Sequence, residues 1–468
     1  MNNLPIKKGF KYYNDVPLNE MHSAGRAIGK TGNRNIYVDF GIPGENANIE
    51  VAKHQKNGRF VKGTIHSLNS ISPFRVVPFC KHSGNCGGCN WQHIDYKVQL
   101  ELKKSILLKA LSKYEIKTPT VHNVVPSPLT LFYRNKLEYS FSSQNESRSK
   151  NDSKNLNVLG FHQLNHPGKV VDIEECYLHS SSDNVICEEI RKFALINNYA
   201  YYNYKDNSGL LKNIIIRTSL KKQVMVIIGF ANNKLNLINA FLTFLNTRFP
   251  EISSLNYYIS NCREEKEIDI EVRNFSGEKV IYENIEDLKF QISPFSFYQP
   301  NPLQAINIYS KIREYAQLRQ NEIVYDLYTG IGTIACYLSR DADKVIGIEG
   351  SASAINDANY NAKLNNIQNI EFITGDILET FNQDFLNNHC KPDVIILDPP
   401  RSGTLIEIKK TILLAKPSRI IYVSCNPVSL AWDLKQLTEK YNVTTIQPFD
   451  MFPHTHHLET VVLLTIKK

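Results

Sequence analysis

The chain has 468 residues, 42% hydrophobic and 21% charged, with a formal net charge of +8. That length and apolar content exclude a disordered chain and predict roughly two to four domains. Nine cysteines are too sparse for a disulfide scaffold, and no apolar run reaches the roughly 18 residues of a membrane span.

With no apolar signal region in Met1 to Lys8, a globular protein of the reducing cytoplasm is expected, with no membrane association. The positive surplus suits a polyanionic partner without requiring one.

From about Lys11 to Val77, short alternating segments are broken by Gly41, Pro43, Gly44, Gly58 and Gly63, which predicts a small β-barrel of OB type. Its basic residues Lys53, Lys56, Arg59, Lys62 and Arg75 fit either a nucleic-acid platform or an ordinary solvated face. A cysteine-rich segment, Cys80 to Tyr96, leads into a polar helix around Lys97 to Lys113. Residues 120 to 290 alternate strand-like runs with one clear helix, Leu235 to Phe244, in an α+β arrangement. Within them Ser142 to Asn157 reads as a flexible hairpin tip or an insertion.

The last 150 or so residues alternate strands at Ile323–Asp326, Lys344–Glu349, Ile370–Thr374, Val394–Leu397 and Arg419–Ser424 with helical stretches. A closing strand is expected over Thr460 to Ile466. Such alternation implies a parallel sheet covered on both faces, an α/β Rossmann-like domain. The expected division is a barrel over 1–77, a central domain over 78–290 and an α/β domain over 291–468.

The first of these strands runs into Tyr328-Thr329-Gly330-Ile331-Gly332, a turn that lets backbone approach a ligand. Glu349 ends the second strand, where a carboxylate accepts from ribose hydroxyls, and Asp376 follows the third, where it would face an adenine amino group. Ala335 stands where a third dinucleotide glycine would fall, and no Gly-Lys-Ser/Thr follows. A mononucleoside cofactor without pyrophosphate fits better, and S-adenosylmethionine has that shape. Tyr328 and Asp398 are the nearest candidates for contacts to its sulfonium, with packing the competing role for Tyr328.

Cys80-x5-Cys86-x2-Cys89 crowds three thiols among glycines, and Cys176 is the natural fourth ligand; Cys187, on an apolar helix face, belongs to the core. Four thiolates suit an iron-sulfur cluster or zinc, and spacing alone leaves the choice open. Cys425 ends the apolar run Ile420 to Ser424 and precedes Asn426-Pro427. A thiol at the carboxyl edge of such a sheet points to covalent catalysis, against a buried structural role.

Taken together, Gly41-Ile42-Pro43-Gly44-Glu45, the cysteine quartet, Phe297-Tyr298-Gln299-Pro300-Asn301, the glycine turn, Asp398-Pro399-Pro400-Arg401, Ser424-Cys425-Asn426-Pro427 and His454 to Thr460 resemble the RNA 5-methyluridine methyltransferases. The resemblance is to the iron-sulfur subgroup acting on 23S ribosomal RNA and spans nearly the whole chain. It implies a TRAM-type amino-terminal barrel, a 4Fe-4S cluster on Cys80, Cys86, Cys89 and Cys176, and S-adenosylmethionine contacts from Gln299, Tyr328, Glu349 and Asp398. It further implies Cys425 as nucleophile, Glu459 as base, 23S ribosomal RNA as partner, and a monomer.

Thr329 and Trp432 depart from the family pattern, where cysteine and arginine are frequent. His454, His456 and His457 are expected as supporting or RNA-facing groups. The rival readings are a cysteine-dependent methyltransferase of transfer RNA uridine or of cytosine, and a non-catalytic RNA-binding iron-sulfur protein.

Overall fold

The computed structural model describes residues 9–32, 34–52, 60–117, 120–146, 154–260 and 270–468. Strands β1 (Phe10–Met21), β2 (Ala27–Thr31), β3 (Arg34–Asp39), β4 (Asn46–Ala52) and β5 (Phe60–Ser70) close into a barrel in the order β1-β2-β3-β5-β4. Leu18, Ile36, Val38 and Ile49 fill it, alternating with outward polar residues as a half-buried strand requires. Gly63 keeps the interior clear, because a Cβ there would come within 2.4 Å of Ile49.

Of the basic residues expected on the barrel, Lys53, Lys56 and Arg59 lie outside the described residues. Lys62 pairs with Asp39 at 3.2 Å. Arg75 forks onto buried Glu45 through two 2.7 Å bonds, so its role is structural.

The central sheet contains β6 (Lys136–Glu146), β7 (Lys154–Gln163), β8 (His166–Asp172), β9 (Leu211–Thr218), β10 (Val224–Phe230), β11 (Ile252–Ile259) and β12 (Arg273–Gly277), in the order β12-β11-β10-β9-β6-β7-β8. Helices Ser181–Ile196 and Leu235–Arg248 bury Ile186, Ile190, Phe241 and Leu245 in the core of this sheet. Cys187 lies on that buried face, as expected. The segment predicted as a hairpin tip is the end of the β6–β7 hairpin, paired as far as Glu146 with Lys154. Residues 147–153 lie outside the described residues. A small hairpin, β13 (Ile281–Ile285) with β14 (Leu288–Ile292), follows.

The last sheet joins β15 (Ile323–Leu327), β16 (Lys344–Glu349), β17 (Ile370–Thr374), β18 (Val394–Leu397), β19 (Arg419–Ser424), β20 (Tyr441–Phe449) and β21 (Glu459–Ile466), in the order β17-β16-β15-β18-β19-β21-β20. β15 to β19 are parallel, with β15, β16, β18 and β19 buried on both faces and edge strand β17 half-buried, whereas β21 runs antiparallel to β19 and to β20. Strand order reverses between β15 and β18, which opens a crevice at their carboxyl ends.

The loop from β20 to β21 is held from below. Lys103, fully buried on helix Tyr96–Lys113, pairs with Asp450, and the Tyr96 hydroxyl donates to the same carboxylate at 2.8 Å. Asn301 and Gln304 donate to the carbonyls of Met451 and Asp450 at 3.2 Å each. A loop fixed at so many backbone groups presents the residues after it with little freedom.

Candidate active site

A cavity of about 1380 Å³ opens where the carboxyl ends of β15, β16, β18 and β19 meet the central sheet and the cysteine segment. Pockets for one small ligand usually span about 300–1,000 Å³, so this one has room for two. Cys425, Glu459, Asp398, Tyr328, Glu349 and Gln299 all line it.

The pairing of Ser424 with Thr460 sets the next residues of β19 and β21, Cys425 and Glu459, beside each other at the sheet end. Glu459 is buried, and burial, followed by the charge of Asp398, drives its carboxyl well above the usual range; Arg401 opposes this. Burial pushes the Cys425 thiol up to about 12, with Glu459 and Asp398 adding to the rise and Arg401 again opposing. Asp398, just past β18, is raised to about 6 by burial. Glu459 and the Cys425 thiol thus share the Arg401 cation. That cation was not assigned a role from sequence, although the Asp-Pro-Pro-Arg motif contains it.

Arg401 is fixed from both sides. Its guanidinium contacts His457 Nδ1 at 3.1 Å, and its carbonyl accepts from Asn426 Nδ2 and Ser429 Oγ at 3.0 Å each. Asn426 also caps the helix that follows Cys425, accepting from Val428 N–H at 3.1 Å.

The glycine turn behaves as its sequence predicts. Gly330 and Gly332 have φ of +57° and +78°, and a Cβ on Gly332 would come within 2.7 Å of Phe372. The Glu349 carboxylate accepts from Gly330 N–H at 3.2 Å and Ser351 N–H at 2.9 Å, so a fixed acid rims the turn.

Tyr328 has φ of +66°, uncommon for a bulky residue and typical of strained functional turns. Its hydroxyl meets Thr404 at 3.0 Å, Thr404 N–H donates to buried Asp433 at 2.9 Å, and Asp433 also takes Tyr422 OH at 2.5 Å and the Lys409 ammonium. Tyr328 therefore packs and faces the cavity at once. Thr329, one of the two departures, donates to buried Asp326 at 2.5 Å. Burial pushes that carboxyl up to about 7 against this bond.

Gln299 is buried, and its carbonyl accepts from Asn135 at 2.9 Å. Asp376 differs from the others: it is an exposed helix cap whose Oδ1 accepts from Leu378 N–H at 2.8 Å, and it does not line the cavity.

Cys80, Cys86, Cys89 and Cys176 line the same cavity as free thiols. Burial and mutual proximity push Cys89 up to about 12 and Cys176 up to about 11. Gly88 N–H donates to Cys86 Sγ at 3.4 Å, and a Cβ on Gly88 would lie 3.6 Å from that sulfur. Four thiols with N–H donors and glycine clearance are a donor set that suits an iron-sulfur cluster or zinc alike. Among the described residues, no three His, Cys, Asp or Glu side chains are arranged for a single metal ion.

Of the two roles expected for the histidines, the contacts fit the supporting one. His454 is buried, and its backbone N–H donates to Gln99 at 2.9 Å. His456 contacts Asn90 at 2.8 Å and fills the space a Cβ on Gly25 would need. Both therefore join the last sheet to the barrel and cysteine segment and do not present themselves to RNA; His457 alone lines the cavity. Trp432 packs edge-on against Tyr114 at 5.7 Å, a contact between helices.

Fold and site together define an α/β domain of methyltransferase type, joined to an amino-terminal barrel, with a cysteine beside a buried acid in its cavity. Residues 260–467 match the family described as tRNA (Uracil-5-)-methyltransferase. A Bacteroides thetaiotaomicron protein described as an uncharacterized RNA methyltransferase is 41% identical over 458 residues, 96% of this chain and 100% of that protein. A Bacillus cereus protein of the same description is 33% identical over 464 residues, covering 98% of each.

Among solved structures, the Pyrococcus abyssi tRNA (uracil-54, C5)-methyltransferase in complex with S-adenosyl-L-homocysteine is similar with a TM-score of 0.75 and 28% identity, over 97% of this chain and 100% of that one. The chain belongs to the RNA methyltransferase family and carries its uracil-5-methyltransferase domain. Among the described residues, no helix is long and apolar enough to cross a membrane.

Proposed function

We propose that this protein methylates C5 of uridine in 23S ribosomal RNA, with S-adenosylmethionine as donor, through a transient bond between Cys425 and C6 of the base. The observation that carries the reading is the adjacency of Cys425 and Glu459 at the paired ends of β19 and β21. The S-adenosyl-L-homocysteine held by the Pyrococcus abyssi relative supports the donor, being its demethylated form.

Uracil C5 is a poor nucleophile. The Cys425 thiolate adds to C6, and the electron pair of the C5–C6 double bond passes into the ring as an enolate, which makes C5 reactive. S-adenosylmethionine, when bound, supplies an electrophilic methyl carbon. C5 then carries both its hydrogen and the new methyl. Glu459 removes the C5 proton, the double bond re-forms, and the Cys425 sulfur leaves with its electron pair. Arg401 steadies both negative groups.

Glu349 is assigned to the ribose hydroxyls, Tyr328 and Asp398 to the sulfonium side, and Gln299 to orienting donor or base. Asp376 would meet the adenine amino group from the rim with its outer oxygen. The base must leave its stack, at a cost of a few kcal/mol that is smaller in a loop, so a folded RNA loop is the proposed target.

The proposed division is a TRAM-like RNA-binding barrel over 1–77, a central RNA-binding and cluster-holding domain over 78–290 and the methyltransferase domain over 291–468, in a cytoplasmic monomer. Cys80, Cys86, Cys89 and Cys176 would hold a 4Fe-4S cluster with a structural or RNA-binding role, and no step of the transfer passes through it. Anaerobically purified protein is expected to be brown, with about four irons and four sulfides per chain, and Cys89→Ser to lose most of the iron. Stoichiometric zinc in place of iron would overturn that assignment.

The second reading is transfer RNA uridine, favoured by the activity named for the Pyrococcus abyssi relative. Mapping 5-methyluridine in both RNAs, from cells with and without the gene, separates the two. Loss of a 23S position is expected; loss only in transfer RNA would reject the ribosomal assignment.

A further inference from the structure

An aromatic row crosses the surface beside the cysteine end of the cavity, and nothing in the chemistry above uses it. Phe132 is 44% exposed, Phe79 is 38% exposed, and Tyr177 lies between them. The ring of Tyr177 is 6.3 Å from that of Phe132 and 5.5 Å from that of Phe79.

Phe132 is held there at a cost. Its φ of +53° lies in the left-handed region that bulky L-residues avoid, at roughly 1–3 kcal/mol. Hydrogen bonding enforces it: Phe132 N–H donates to Tyr177 C=O at 2.8 Å and Arg134 N–H to Leu178 C=O at 2.9 Å. Between them Tyr133 turns inward, buried against Cys89 and Leu178. The same backbone leaves the large apolar Phe132 ring 44% exposed, two residues from Arg134, which lines the cavity.

Resting on the RNA-methylation reading, we infer that Phe132, Tyr177 and Phe79 form a stacking platform for an unpaired RNA base other than the methylated uridine. The row is continuous with the cavity, since Tyr177 and Arg134 line it, so a strand entering with its target base would cross these rings. Arg134 supplies the positive charge that a neighbouring phosphate needs.

Glu175, also on the cavity wall, interacts with the Tyr177 hydroxyl, and a carboxylate there suits the exocyclic amino group of a base and opposes a phosphate. The occupant is therefore a base, best one bearing an amino group. Stacking accepts any base face, so the platform would add affinity with modest sequence preference.

The test measures binding of a fluorescent twelve-residue oligoadenylate to the full chain, alongside thermal melting. Phe79→Ala and Phe132→Gly are each expected to weaken binding by roughly 5- to 100-fold, the range for loss of one base stack. Phe132→Gly should leave the melting temperature unchanged or raised, because glycine adopts the positive φ without strain. A ring present only for packing would give the reverse, lower stability with unchanged binding.

Unchanged affinity in both variants, or no oligoadenylate binding by the wild type, would overturn the platform. Neither result touches the methylation reading, which fails separately if the wild-type protein transfers no methyl group to RNA.

Discussion

Cys425→Ala is expected to abolish methyl transfer, with a fall on the order of 10⁴-fold or more, while changing stability by only about 1 kcal/mol. The sulfur is half-buried at the end of β19 and is not part of either large core cluster of that sheet, so its removal leaves little void. Donor binding should persist, because Glu349 and the glycine turn stand on β15 and β16. Isothermal titration with S-adenosylmethionine, together with tritium-methyl transfer to RNA, reads both quantities. Substantial residual transfer by the alanine variant would return the thiol to a packing role.

The same thiol gives a pH signature. With burial, Glu459 and Asp398 holding Cys425 near 12, the free site contains the protonated thiol at neutral pH. The thiolate fraction then rises tenfold per pH unit, so kcat/KM should climb between about pH 7 and 9 without a plateau. Ionisation of Glu459, whose carboxyl is also raised, readies the base for the later proton removal, while its charge opposes ionisation of the thiol.

Glu459→Gln should divide the reaction in half. Removing a negative charge beside Cys425 takes away one of the causes that raise its thiol, so addition to C6 and methyl transfer proceed in a first turnover. Release requires removal of the C5 proton, and loss of a positioned base costs typically 10²- to 10⁴-fold. A methylated RNA–protein conjugate should therefore accumulate and be visible as a slow band on a denaturing gel. Turnover at the wild-type rate would show that another group, Asp398 being the nearest, takes the proton.

Much of this site was legible in the sequence because parallel strands buried on both faces leave uninterrupted β-branched runs. Lys344–Glu349, Ile370–Thr374, Val394–Leu397 and Arg419–Ser424 stand where those runs predict. Each candidate at a strand end, namely Tyr328, Glu349, Asp398 and Cys425, then falls on the crevice by topology.

β20 escaped notice. Tyr441–Phe449 mixes threonines with Pro448, a composition an edge strand tolerates and a central one does not, and β20 ends the sheet order. Helix Ser181–Ile196 showed only as the apolar face around Cys187.

Charges were harder to read than strands. Arg401 stands in a visible motif, but its influence on Glu459 and Cys425 depends on three strand ends meeting in space. His454 and His456 read in sequence as either supporting or RNA-facing, and the structure packs them against Gln99, Asn90 and Gly25, residues hundreds of positions away. Asp376 follows the correct strand, yet its capping bond to Leu378 turns it to the rim. Side-chain capping competes locally with ligand contacts, and the strand pattern carries no trace of that competition.

Incubating the protein and S-adenosylmethionine with ribosomal RNA containing 5-fluorouridine tests the central bond most directly, because fluorine at C5 cannot leave as a proton does. A denaturation-resistant adduct that mass spectrometry assigns to the peptide bearing Cys425 is expected. Normal methylation of ordinary RNA with no such adduct would contradict the covalent account.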